Sequence, residues 1–139
     1  MSDFQTRPVI TQQARAAISS MLSTGTPTIQ ISHFAVGTGG YSSANPAVAL
    51  APSDSATGLV NEIFRSNNVL RENISPTQKI YVGQLSPNEG IGALGEVGIF
   101  ATYLTGDLAG QIFLFAVANF PMKSKTQDDT LKFRMPVIL

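Results

Sequence analysis

The sequence predicts an α+β fold: one N-terminal helix packed on a mostly antiparallel β-sheet, a meander, with one long Gly/Ala/Pro/Ser-rich loop. Three observations carry this. One stretch near the N-terminus repeats its apolar residues at helical spacing. The second half of the chain reads as apolar, β-branched runs separated by short polar turns. Between them lies an excursion too irregular for either. Runs joined by turns of a few residues favour antiparallel neighbours, because a parallel pair needs a crossover of a dozen residues or more. The 139 residues suit one domain with one core, residues 1–139.

The helix is "TQQARAAISSML", residues 11–22. Ala14, Ala17, Ile18, Met21 and Leu22 fall on one stripe, Thr11 can cap the start, and Gly25 followed by Pro27 can end it. Before it lies an N-terminal arm, residues 1–9, free to dock on a neighbour. "TIQISHFAV", residues 28–36, is a strand with apolar residues on both parities, so both faces are expected to be covered. The excursion runs from Gly37 to Gly58. Loops beyond about 12–15 residues are usually functional, disordered or wrapped on a partner. "EIFRSNNVLREN", "QKIYVGQL", "ALGEVGIFATYL", "QIFLFAVANF" and "TLKFRMPVIL" are the further strands, with "PMKSKTQDD" a solvated loop before the last.

Charge and composition narrow the function classes. Nine basic residues balance nine acidic ones, and charged residues make up only 13%. A neutral chain lacks the footprint of a nucleic-acid or acidic-membrane binder, so neither is expected as a partner. A neutral surface poor in charge tends to associate, so composition fits contact with other protein chains and, equally, a plain monomer with a Ser/Thr/Asn/Gln-rich surface. The absence of cysteine excludes disulfides, cysteine-ligated zinc and thiol catalysis. The start, "MSDFQTRPVI", has no basic stretch leading into an apolar one, and no run approaches the ~20 apolar residues that span a bilayer. Synthesis in a cytoplasm is expected.

Little catalytic chemistry survives inspection. Gly37, Gly39 and Gly40 suggest a phosphate cradle, but the third glycine of G-x-G-x-x-G is replaced by Ser42. The following "SSANPAVALAP" makes a poor helix, and no Walker lysine follows. The glycines read as a turn. His33, the one histidine, has no flanking carboxylate and reads as a strand residue. "GYSSA" lacks the last glycine of a nucleophile elbow. Glu62, Glu72, Glu89, Glu96 and the Asp128–Asp129 pair offer carboxylates for glycoside hydrolysis, with no spacing that selects two of them. No cofactor is expected.

Five segments in order resemble a known family: "ITQQARAAISSML", "IQISHFAVGTGG", "GLVNEIFR", "GEVGIFATYLTGDLAGQIF" and "AVANFPMKSK". They are similar to the N-terminal, baseplate-attachment domain of contractile-tail phage tail fibres, the tail-collar family related to the P2-type fibre. The last segment is longer here, with extra residues between Leu108 and Ala118. The resemblance implies a virion structural protein of the tail, a homotrimeric anchor joining tail fibre proteins to the baseplate, and no catalytic residues. In the family this domain begins a longer fibre, whereas this chain ends at Leu139. The expectation is therefore an assembly adaptor to which a fibre binds, or a very short fibre.

The leading expectation is a non-enzymatic adaptor. The alternatives are a carbohydrate-binding receptor module, with Tyr41 and Tyr103 as exposed platforms, and a small cell-wall hydrolase using Glu89 or Glu96. The interaction surface is placed in the excursion and the arm, at Phe4, Arg7, Tyr41, Asn45, Pro46 and Leu50.

Overall fold

The computed structural model describes residues 2–138, with side chains from Gln5 onward. Its class is α+β. Among the described residues one helix, α1 (Gln12–Thr24), accompanies two sheets. The first sheet orders β1 (Ser2–Gln5), β9 (Leu131–Ile138), β6 (Gln78–Leu85) and β5 (Val69–Ser75). The second orders β2 (Val9–Ile10), β8 (Ile112–Lys125), β7 (Gly92–Tyr103), β3 (Ile29–Gly37) and β4 (Glu62–Ser66). All pairings are antiparallel except β1 with β9.

The two sheets share one core. Phe34, Val36, Ile99 and Phe115 of the second sheet pack with Leu85, Phe133 and Met135 of the first. The opposite face of the second sheet carries Ala35, Phe100, Leu114 and Val117, covered by Ala56 and Leu59 of the excursion. That two-sided cover is why β3 is apolar on both parities, as its sequence suggests. On the outer face of the first sheet, Glu72 of β5 and Arg134 of β9 form a bidentate ion pair across β6, 2.6 Å at its shorter contact. They straddle Ile80 and Val82, which are buried.

Helix α1 forms for local reasons. Thr11 is extended, and its hydroxyl accepts from Ala14 N–H. Gly25 takes the left-handed conformation (φ +79°) and donates its N–H to Met21 O, closing the helix. The buried residues of its apolar stripe are Ala14 and Ala17, small enough to bring the helix axis close to β8. A bulge fixes the docking. The register passes from Ile99–Ala116 to Phe100–Leu114, leaving Phe115 without a partner on β7. The Phe115 and Leu114 carbonyls there accept the Thr11 N–H (2.9 Å) and hydroxyl (2.7 Å).

Four expectations need correction. The sheet is not one meander but two sheets. "EIFRSNNVLREN" is not one strand: β4 ends at Ser66, the chain turns at Asn67 and Asn68, and β5 joins the other sheet. "PMKSK" is not loop but the last part of β8. Pro121 falls where Leu94 pairs with Lys123 and Glu96 with Asn119, an irregularity that leaves it no ladder bond to lose. The arm is not free: Ser2–Gln5 pairs with Leu131–Arg134, and Thr6 N–H continues to Arg134 O at 3.0 Å. Met1 lies outside the described residues.

Candidate functional site

The most constrained polar group is the Glu96 carboxylate on β7, 1% exposed. It accepts three backbone N–H groups: Gly39 at 2.9 Å and Asn61 at 2.8 Å on Oε2, and Val60 at 2.7 Å on Oε1. Beside it, Thr38 N–H donates to Asn61 O at 3.0 Å, and Asn61 Nδ2 donates to the Thr38 hydroxyl. One side chain thus ties both ends of the excursion to the middle of the sheet. A Cβ on Gly39 would lie 2.7 Å from Glu96 Oε2, and one on Gly37 would collide with the same oxygen and with Asn61 O. Gly40 needs the left-handed region (φ +88°), with the Gly95 carbonyl against it. The glycine turn does cradle an anion, and the anion is the protein's own carboxylate.

From this clamp the excursion runs back over its own protein. Residues 40–50 form a small hairpin closed by Tyr41 and Ala49. Pro46 O accepts Met122 N–H at 2.8 Å, and Leu50 O accepts Asn119 Nδ2 at 3.0 Å. Asp54 O then accepts Gln12 N–H at 2.7 Å, satisfying a donor in the first turn of α1.

The anticipated interaction residues fall into two groups. Asn45, Pro46 and Leu50 are exposed on the hairpin, where Val48 and Met122 add exposed apolar surface. Tyr41 is half-buried, its ring against Gly95. Arg7 is exposed and lines a groove of about 370 Å³ with Pro8, Gln78, Pro136 and Ile138. The Phe4 side chain lies outside the described residues. The structure therefore joins Tyr41, Asn45, Pro46 and Leu50 on one hairpin, and places Arg7 elsewhere, beside the junction of β1 and β2.

The carbohydrate-platform and acid-pair expectations meet direct geometric obstacles. Tyr103 is 5% exposed; its ring stacks on Phe113 at 4.5 Å and its hydroxyl meets Gln13 Nε2 at 3.3 Å. Glu89 caps its own turn by accepting Ser86 N–H at 2.8 Å. Glu96 is occupied as described. Glu62 and Glu72 are paired with Arg65 and Arg134. His33 Nδ1 lies 2.7 Å from Ser32 Oγ, which in turn reaches Thr102 Oγ1 at 2.7 Å, a hydroxyl chain without a carboxylate. Among the described residues no three His, Cys, Asp or Glu side chains converge as metal ligands do.

Sequence reasoning missed a groove of about 410 Å³ between α1, the start of β3, and the β5–β6 pair. Its wall includes Ile18, Met21, Ile31, Val69, Arg71 and Tyr81. The available signal was an arginine alternating with Val69 on the inward parity of an edge strand. The chain matches no protein-family model and no curated protein.

Proposed function

We propose that this chain is a non-enzymatic structural subunit of a phage tail or tail-like particle. It acts as an adaptor between tail fibre and baseplate and assembles as a homotrimer in the virion. The observation that carries this reading is where the family-like segments meet. "IQISHFAVGTGG", "GLVNEIFR" and "GEVGIF" are separated in the chain, yet Gly39, Val60, Asn61 and Glu96 from them close on one carboxylate. Such a motif set is a single structural joint, maintained by hydrogen bonding and not by chemistry on a substrate.

A second feature supports an assembly role. The hairpin presents Val48 and Leu50 about half exposed beside Met122, an apolar surface of the kind that marks contact with other chains. The receptor-module alternative loses one of its two platforms, since Tyr103 is in the core.

Two measurements test the reading together. Light scattering on the purified chain is expected to give three copies per particle at micromolar concentration. Cross-linking mass spectrometry on purified tails is expected to find this chain joined to a baseplate protein and to a fibre protein. A stable monomer that is absent from purified tails overturns it.

A further inference from the structure

We propose that the groove between α1 and the β5–β6 pair binds an extended peptide of a partner protein, an apolar segment carrying one carboxylate, added as a strand to the free edge of β3. The inference goes beyond the adaptor reading and does not depend on it.

Size and lining make the groove a binding site in kind. Its volume of about 410 Å³ falls within the roughly 300–1,000 Å³ of ligand pockets, and apolar walls with a few convergent polar groups are their usual make-up. Ile18 and Met21 come from α1, Val69 from β5, and Phe115 from the bulge of β8.

Edge geometry favours a peptide. Ile29, Gln30 and Ile31 all line the groove. Successive residues of a strand face opposite sides, so three in a row on one wall mean that the groove runs along the strand's edge. β7 occupies one edge of β3 from Ile29 to Gly37. β4 occupies the other edge only from Phe34 to Gly37. Among the described residues, the edge over Ile29–His33 therefore has no strand partner. Over Ile29–Ile31, before the register shift between Ile31 and His33, such an edge presents unpaired backbone donors and acceptors to an added strand, while the groove beside it receives alternate side chains.

Charge decides what the peptide carries. Arg71 pairs with Tyr81 and Val69 with Gly83 across β5–β6. On β6, Tyr81 and Gly83 share the parity of Leu85, which is fully buried in the core. Arg71 thus lies on the inward side of β5 but is exposed, and no carboxylate engages it among the described residues, where Arg65 holds Glu62 and Arg134 holds Glu72. Among the described residues it is the one charged side chain on the groove wall. The Tyr81 phenol stands next to it as a second donor; burial holds that phenol above its usual range, against the opposing pull of Arg71. A guanidinium and a phenol together suit a carboxylate oxygen pair.

The test is selection followed by mapping. Random octapeptides displayed on yeast are selected against the full chain, and one enriched peptide is titrated into labelled protein by NMR. Enrichment of Asp or Glu between alternating Val, Ile or Leu is expected, with the amides of Ile29–His33 moving on titration. Arg71→Gln is expected to weaken binding about threefold to tenfold while leaving the melting temperature unchanged. Replacing the peptide's acid by its amide is expected to give the same loss, and no further loss in Arg71→Gln. The proposal is overturned by selection without a sequence pattern, by shifts confined to other elements, or by equal affinity of Arg71→Gln. It is also overturned if sodium decanoate moves the same amides and the peptides do not, or if the groove proves to be filled by a second copy of this chain.

Discussion

Glu96 and Arg71 are both charged residues on strands, and their surroundings are opposite: Glu96 is buried under the excursion and Arg71 is exposed. Glu96 is surrounded by its own backbone: three N–H groups reach its two oxygens, and glycines at 37 and 39 leave room for it. Arg71 looks into an open, mainly apolar groove with only the Tyr81 phenol alongside. A buried charge persists when its hydrogen-bonding capacity is filled, because an unfilled one loses hydration without return. A charge with spare capacity on an accessible groove has that capacity available to something else. The contrast teaches that the buried carboxylate, which sequence reasoning ranks among the catalytic candidates, is structure. The arginine, which that reasoning passes over, is the group left open.

The largest test removes the filled charge. Glu96→Ala strands three amides at the base of the excursion and is expected to lower stability by about 3 kcal/mol or more, read from denaturant midpoints. Thermolysin is then expected to cut within residues 38–61 well before global unfolding. An unchanged midpoint breaks the comparison. Next comes Lys125, a 2% exposed cation whose Nζ donates to Ser86 O (3.2 Å) and Thr126 O (2.9 Å). Lys125→Met is expected to cost about 1–2 kcal/mol, less than Glu96→Ala because fewer partners are stranded.

Arg71 supplies the opposite pole. Arg71→Met replaces an exposed cation by an apolar chain of similar length, and is expected to change stability by less than about 0.5 kcal/mol. A loss comparable to that of Glu96→Ala would place Arg71 in the scaffold and dissolve the contrast. The smallest effect sharpens the comparison at the surface. Asp129 accepts the Thr126 hydroxyl at 2.7 Å and the Thr126 N–H at 3.2 Å, which hold its carboxyl below the ordinary value of 3.8. A carboxyl lowered by folding stabilises the fold above its unfolded value, and loses that contribution as pH falls through the folded one. NMR titration is expected to find Asp129 on the low side, and Thr126→Val to return it part of the way.

Local features were legible. Thr11, Gly25 and the alanine stripe announce α1, because caps and helical spacing act within a few residues. The apolar runs announce β3, β6, β7, β8 and β9. The glycine turn was legible as a turn, but not its purpose, since the carboxylate it surrounds comes from position 96. The break at Asn67 and Asn68 was hidden because both halves of "EIFRSNNVLREN" have strand composition. The reach of β8 past Pro121 was hidden because a proline normally ends a ladder, and only the irregularity opposite Gly95 accommodates it. Arg71 carried no local mark. Its meaning depends on which side of β5 faces the core and on β4 stopping short of Ile29.

By itself, the sequence determined the class, the helix and its ends, and the strand-forming runs, since each follows from neighbours a few residues apart. The tertiary structure alone decided the division into two sheets, the arm's place beside β9, the occupied state of Glu96 and the open edge of β3. Those depend on pairings between residues dozens of positions apart, where register and burial, and not local preference, set which groups are satisfied and which remain exposed.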